Sequence, residues 1–477
     1  MKMIIGGEFV DSSNGEKLSV LNPSTLEKID EVPTATKEDV ERAITCAEKG
    51  AAEWSAYPLH QRIKIIRNFL EAYEQHRDEL VDMLQKESGK ITAAATGCID
   101  GSLELGEHYV ELARTLGGET FPMENRAGTE NALLVTVREP LGIVVCILPY
   151  NFPVDAYIHK VIPALLMGNA VIIKPASDTP MTDIRCTQLL LESGVPGNAV
   201  QILTGSGSKM GTWLTADPRI ALVNLTGSTQ VGIQIAKSCA EKLHRTHLEL
   251  GGNDPLVILP DTDVVYAAEE AFNSRIGNCG QTCCAGKRFL VHESMKDEFI
   301  AKLQAKLQQV VVGDPCAPET TCGPLISEKA AADLEAHLDL CIRQGGKIVY
   351  GGKRLGGAFF EPTLMEITPE MDAAQDLELF GPVWSVLTYQ TIEEAIHLAN
   401  NTMYGLSSGV IGKDMPTMLK VAKALQAGTC VVGGSGAYRT SDQPFGGYKM
   451  SGLGREGGKY TLEELSQVKC IVLKTSV

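Results

Sequence analysis

Between Gly142 and Gly251 short apolar runs alternate with helical segments, and this alternation restricts the chain to few architectures. The runs are Gly142–Leu148, Ala170–Ile173, Ala199–Leu203, Ile220–Leu225 and His247–Leu250. Helical periodicity occupies the stretches near Asp155–Leu166, Met181–Glu192, Lys209–Leu214 and Gln230–Glu241. Short strands without polar alternation, joined by helical crossovers, predict a parallel sheet with helices on both faces. Ligands of such sheets bind beyond the carboxyl ends of the strands. A second alternation follows Gly252. Its strands are Pro255–Leu259, Phe289–His292, Lys347–Tyr350, Val383–Tyr389 and Cys430–Val432, and its helices include Asp263–Arg275 and Met295–Gln309. A chain of 477 residues exceeds one ordinary core, so two large α/β domains plus a small element are expected.

Helical periodicity also covers Thr36–Gly50, Leu59–Ser88 and Ile91–Leu116, until Gly117-Gly118 breaks it. Two β-runs, Ala132–Arg138 and Val468–Lys474, stand outside both alternations and read as an arm. Met1–Val10 reads as a strand and hairpin, because it lacks the basic-then-apolar layout of a signal peptide. A cytoplasmic protein is expected. The net charge of −16 argues against a surface that tracks nucleic-acid phosphates. No apolar run is long enough for a membrane span. The 13 cysteines show no framework spacing, and Cys146, Cys430 and Cys470 sit in apolar strands, so reduced core thiols are expected. Cys279, Cys283 and Cys284 have no second ligand pair at a suitable spacing, so no metal is expected.

Three strand or helix ends carry candidate chemistry. Cys283 follows a Gly-Gln pair after a predicted helix, in Phe272-Asn-Ser-Arg-Ile-Gly-Asn-Cys-Gly-Gln-Thr-Cys-Cys-Ala285. A thiol there is a nucleophile, a buried core cysteine, or second in importance to its neighbour Cys284. Glu249 ends a β-run in Leu248-Glu-Leu-Gly-Gly252, as a base that activates water or as a surface acid. Asn151, in Leu148-Pro-Tyr-Asn-Phe-Pro153, is an oxyanion donor or a turn residue. Thiol, carboxylate and amide together suit oxidation of an aldehyde through a thioester. Gly227-Ser228 lies at a predicted helix N-terminus, where backbone amides and the helix dipole favour a pyrophosphate. Gly205-x-Gly207-x-x-x-Gly211 also joins a strand to a helix, but it is not the dinucleotide fingerprint.

Over essentially its whole length the chain resembles the aldehyde dehydrogenase superfamily, in its NAD(P)-dependent, hydrolytic branch. The resemblance implies an α/β fold with a Rossmann-like cofactor domain (1–117 and 138–249), an α/β catalytic domain (250–450) and a small β oligomerisation arm (118–137 and 466–477). The pattern Asn278-x-Gly280-Gln281-x-Cys283-x-Ala285 selects Cys283 over Cys284 as nucleophile. Glu249 becomes the deacylating base and Asn151 the residue that stabilises the tetrahedral intermediate. Lys174 would bond the adenosine ribose. In Glu378-Leu-Phe-Gly-Pro382, Glu378 would bond the nicotinamide ribose and Phe380 pack near the ring. Pro149, Tyr150, Ser177, Gly207, Gly211, Gly227 and Ser228 complete the expected cofactor set. Ser177 stands where NAD-preferring members often carry Glu, which favours NADP over NAD, although Asp178 cuts the other way. His159, Arg439 and Phe445 are the expected substrate residues. The glycine-rich loop Pro444–Gly458, with Lys449 and Arg455, resembles a structural loop that lines the substrate tunnel rather than an anion site. The implied substrate is a short or oxygenated aldehyde of the succinate semialdehyde or lactaldehyde type, and the implied assembly a homodimer or homotetramer. Two other readings are a CoA-acylating dehydrogenase, whose members generally lack the Glu at position 249, and a non-catalytic dinucleotide-binding relative.

Overall fold

The computed structural model describes residues 1–474, so residues 475–477 of the expected arm lie outside the described residues. An eight-stranded sheet runs in the order Glu8–Val10, Met3–Ile5, Val200–Ile202, Ala170–Lys174, Ile143–Ile147, Ile220–Thr226, Arg245–Glu249 and Gly452–Leu453. Its central strands are parallel, and the antiparallel pairs lie toward its two edges. The chain builds outward from Ile143–Ile147 to Val200–Ile202, then returns to place Ile220–Thr226 on the other side of Ile143–Ile147. The strand order therefore reverses between these two strands, and the crevice beyond their carboxyl ends is where such a sheet binds ligands.

A seven-stranded sheet forms the second layer system, in the order Lys347–Tyr350, Thr363–Glu366, Val383–Tyr389, Arg288–His292, Pro255–Ile258, Ser407–Ile411 and Thr429–Val432. It is parallel except for Lys347–Tyr350. Both sheets bury apolar side chains on both faces. Val144, Cys146 and Ile173 fall in one cluster and Ile143, Val145 and Ile172 in another, as period-2 alternation of a doubly covered strand requires. Val257 and Leu290 likewise separate from Leu256, Ile258 and Phe289.

A third, antiparallel sheet contains Ser466–Lys474, Ala132–Pro140 and Thr120–Phe121. Its long pair is in register from Ser466↔Pro140 to Lys474↔Ala132. Gly118 enters this sheet so closely that a Cβ would lie 1.6 Å from the Thr136 carbonyl oxygen, which explains the glycine at the break. Among the described residues no helix is long and apolar enough to cross a membrane.

Two local expectations are corrected. The helical stretch 59–88 is two helices, Leu59–Gln75 and Arg77–Ser88, because His76 leaves helical geometry (φ −100, ψ 15) while its Nδ1 lies 2.8 Å from the Ala72 carbonyl. Cys470 is exposed rather than a core thiol, because Ser466–Lys474 has no covering layer.

Candidate active site

Helix Val264–Ile276 ends in a turn with three successive left-handed residues, Asn278 (φ 51), Cys279 (φ 55) and Gly280 (φ 73). Two adjacent non-glycine residues in that region cost energy and persist only where the surroundings hold them. The motif side chains do the holding. Asn278 Nδ2 donates to the carbonyls of Asn151 (3.1 Å) and Gln281 (3.2 Å). Gln281 Nε2 donates to Asn278 O at 3.1 Å, and Gln281 Oε1 accepts from the Ile326 amide at 2.9 Å. Asn151 Nδ2 donates to Gln281 O at 3.0 Å. A Cβ on Gly280 would lie 2.0 Å from the Gly381 carbonyl oxygen. The turn delivers Cys283, half-buried, with its own carbonyl accepting from Lys287 Nζ at 2.5 Å.

Glu249 is buried at the end of strand Arg245–Glu249, and its Oε1 has no hydrogen-bond partner among the described residues. Burial, with the charge of Glu456, pushes its carboxyl up to about 8, against the pull of Lys160 and a hydrogen bond with the Cys283 thiol. A hydrogen bond to Cys284, then burial and Glu249, hold the Cys283 thiol well above its ordinary value. The resting pair near neutral pH is thus a protonated thiol and a carboxyl that holds its proton more tightly than an exposed one.

Behind Glu249 lies a buried ion pair, Lys160 Nζ to Glu456 Oε2 at 2.6 Å. His159 Nδ1 is 3.9 Å from Glu456 Oε1 and 2.7 Å from the Tyr109 hydroxyl. Burial drives the His159 ring down to about 4, so it is neutral near pH 7. Sequence reasoning missed Lys160, Glu456 and Lys287. A lysine followed at once by the apolar run Val161–Leu166 was the available signal for Lys160.

At the switch point opens a cavity of about 820 Å³. Its wall contains every residue expected to bind cofactor: Pro149, Tyr150, Lys174, Ser177, Gly207, Gly211, Gly227, Ser228, Glu378 and Phe380. Asn151, Glu249, Cys283 and Asp178 lie in the same wall, as do Thr212 and Gln234, which were not singled out. Burial lowers the Lys174 ammonium to about 8, and its Nζ approaches within 3.5 Å of where a Gly207 Cβ would stand. Ser177 Oγ donates to Gly205 O at 3.3 Å. Ser228 caps helix Thr229–Ala240, its Oγ accepting from the Val231 amide. Glu378 Oε1 accepts from the Gly252 amide and pairs with Lys287, each at 3.3 Å. The rings of Tyr150 and Phe380 meet edge-on at 6.3 Å. A buried cation, a capped helix N-terminus, close glycines and a ring slot beside a thiol fit a dinucleotide.

The three expected substrate residues are not in that wall. Phe445 packs on Cys284 and Leu406 with Cys283 against it, so it flanks the nucleophile on another side. The Arg439 guanidinium stacks 3.5 Å over the Phe445 ring. His159 faces Glu456. The glycine-rich loop is held from within: Lys449 Nζ donates to Asn400 O and Thr402 O, and Arg455 Nη1 donates to Gly447 O and Gly454 O. These bonds satisfy both cations on backbone carbonyls, as a structural loop requires.

This chain belongs to the aldehyde dehydrogenase family, whose model matches residues 9–471. It is 34% identical over 475 residues to the NADP(+)-linked succinate-semialdehyde dehydrogenase GabD of Escherichia coli, covering 98% of this chain and 97% of that one. It is 34% identical over 469 residues to a glutarate-semialdehyde dehydrogenase of Pseudomonas putida, with the same coverages of 98% and 97%. Among solved structures it is similar to an E. coli NADP-dependent enzyme (TM-score 0.95, 33% identity, 99% and 98% of the two chains). It is also similar to betaine aldehyde dehydrogenase from Staphylococcus aureus in complex with NAD+ (TM-score 0.96, 33% identity, 100% and 98%). The chain is therefore an NAD(P)-dependent oxidoreductase that acts on the aldehyde group.

Proposed function

We propose that the chain oxidises a short, oxygenated aliphatic aldehyde to its carboxylic acid through a thiohemiacetal and a thioester on Cys283. The observation that carries this reading is that Cys283, Asn151 and the buried Glu249 carboxyl share the wall of one cavity. Glu249 in its ionised form takes the thiol proton, and the Cys283 sulfur attacks the carbonyl carbon. An Asn side chain has two N–H donors. One Asn151 donor is spent on Gln281 O, which leaves the other, with the Cys283 amide, for the oxyanion. The nicotinamide ring, when bound, supplies the hydride acceptor. Collapse of the oxyanion leaves an acyl group on the Cys283 sulfur. After Glu249 has released the thiol proton to solvent, it removes a proton from water, the hydroxide adds to the acyl carbon, and the Cys283 sulfur leaves as a thiolate that regains a proton from Glu249. The Lys160–Glu456 pair behind Glu249 sets how readily that carboxyl holds its proton.

Lys174, Ser177, the Gly227-Ser228 helix start and Glu378 hold the dinucleotide in this reading. NADP is the favoured cofactor: Ser177 carries no charge, and the buried Lys174 is near enough to offset a 2′-phosphate. Asp178 in the same wall opposes it. The semialdehyde specificity printed for relatives, and the unpaired Arg439 beside Phe445, support a substrate with an oxygenated tail. The exposed apolar side chains of the arm, among them Leu133, Val468, Val472 and Leu473, support a homodimer or homotetramer joined through that sheet. A kinetic panel of short aldehydes, each assayed with NAD and with NADP, tests the reading. Turnover confined to long alkyl or aromatic aldehydes overturns the substrate class.

A further inference from the structure

Helix Pro153–Leu166 is buried at every position except Asp155 and His159. These two are one turn apart and share a face. That face begins just after Asn151, so it leads away from the nucleophile on the side that the cofactor cavity does not occupy. Ser102 Oγ donates to Asp155 Oδ1 at 2.9 Å, and only the weak Cys98 thiol donor otherwise bonds this carboxyl. Arg439 is seated on Phe445, which packs on Cys284. Arg439 has no hydrogen-bond or ion-pair partner among the described residues. His159, on the same face as Asp155, lies 3.9 Å from Glu456, whose backbone bridges to Phe445, the ring that carries Arg439. His159 is already engaged by Tyr109. An acceptor with spare capacity and a donor with spare capacity therefore lie at the two ends of a packed chain, His159 to Glu456 to Phe445, that borders Cys283.

A hydroxyl matches that pair, because it donates and accepts at once, whereas an ionised carboxylate only accepts. An alkyl tail would leave a buried carboxyl and a guanidinium unanswered. We infer that Asp155 is a specificity-determining residue that accepts a hydrogen bond from a hydroxyl on the aldehyde's own chain, with Arg439 donating to the same oxygen. The inference rests on the proposed oxidation of short oxygenated aldehydes and narrows it to hydroxyaldehydes. Asp155 sits too far along the helix to take part in the chemistry at sulfur, and it acts on substrate choice.

The test compares lactaldehyde with propanal, which differ by one hydroxyl, in the intact protein and in Asp155→Ala, with kcat and KM measured for each. Intrinsic differences between the two aldehydes cancel in the change of their ratio. A hydrogen bond to a charged group predicts that the lactaldehyde-to-propanal ratio of kcat/KM falls roughly tenfold or more in Asp155→Ala, mainly through KM. Asp155→Asn, which keeps the volume and a neutral acceptor, should fall by less, and it serves if the alanine variant does not fold. An unchanged ratio in both variants, or equal losses for both aldehydes, overturns the inference and leaves the proposed oxidation standing. An intact protein that oxidises propanal and succinate semialdehyde but prefers neither lactaldehyde nor glycolaldehyde over propanal does the same. An intact protein that oxidises none of them overturns both.

Discussion

A Cβ on Gly251 would lie 2.4 Å from Glu378 Oε2, so the second residue after the base Glu249 is a seat for a carboxylate of the cofactor cavity. The clash involves the far end of a flexible side chain. In Gly251→Ala the Glu378 carboxylate should swing away, losing the Gly252 amide and Lys287 while the fold survives. The KM for the dinucleotide should rise roughly tenfold, the loss of one charge-assisted hydrogen bond, with little change in Tm. Fluorescence titration with reduced cofactor, beside a melting curve, checks both halves.

Cys283→Ala should abolish oxidation and keep cofactor binding, because the thiol is not among the residues expected to hold the cofactor. Cys284→Ala should remain active, since that side chain packs under Phe445 and Leu406. Asn151→Ala should lose about 10²- to 10³-fold in kcat. Activity in Cys283→Ala with a dead Cys284→Ala would reassign the nucleophile.

Glu249 works as a base only when ionised, and its carboxyl is raised to about 8. The rate should therefore climb with pH through about 8 and level above about 9. The charge of Glu456 raises this carboxyl and that of Lys160 lowers it. Glu456→Gln should move the limb to lower pH and Lys160→Met to higher pH. Each also strands a buried charge, at a cost of about 3–5 kcal/mol. Glu249→Gln should remove the limb and show a burst of reduced cofactor with little steady-state turnover. Linkage adds a stability test. The unfolded carboxyl ionises near 4.5 and the folded one near 8, so native stability falls as pH rises through that interval. Glu249→Gln should thus melt higher than the parent at pH 8 and equally at pH 4. A parent profile flat from pH 6 to 9 would remove Glu249 from the chemistry.

Ser177→Glu places a carboxylate in the cavity wall near Lys174 and Asp178. The apparent KM for NADP should rise roughly tenfold or more, and that for NAD far less. In the unmodified protein, a large kcat/KM advantage for NAD would refute the NADP preference.

Removing the residues after Gln467 strips the Ala132–Pro140 strand of its long partner and exposes its edge. Light scattering should show aggregate or monomer in place of an assembled species. An intact protein that runs as a stable monomer would count against assembly through this sheet.

Local pattern alone made the two α/β sheets legible, because strand and helix periods are properties of consecutive residues. The Asn278-to-Cys283 and Glu249-to-Gly252 motifs were legible as residue types at fixed spacing, while the partners that hold them, Asn151, Ile326, Gly381 and Glu378, lie far along the chain. What lay beyond reach depends on which distant segments meet. Lys160 finds Glu456 only because strand Gly452–Leu453 returns to pair with Arg245–Glu249. Asp155 and His159 are two polar residues in an apolar stretch until packing buries every other position of their helix. Arg439 acquires a place beside the nucleophile only by stacking on Phe445. Cys470 looked like core because its strand is apolar, yet a strand with no layer over it stays exposed. The sequence by itself determined the elements and the reacting groups. The charges around Glu249, and the packing of Asp155, His159 and Arg439, were decided by tertiary structure, because electrostatic and hydrogen-bond partners act through space and not along the chain.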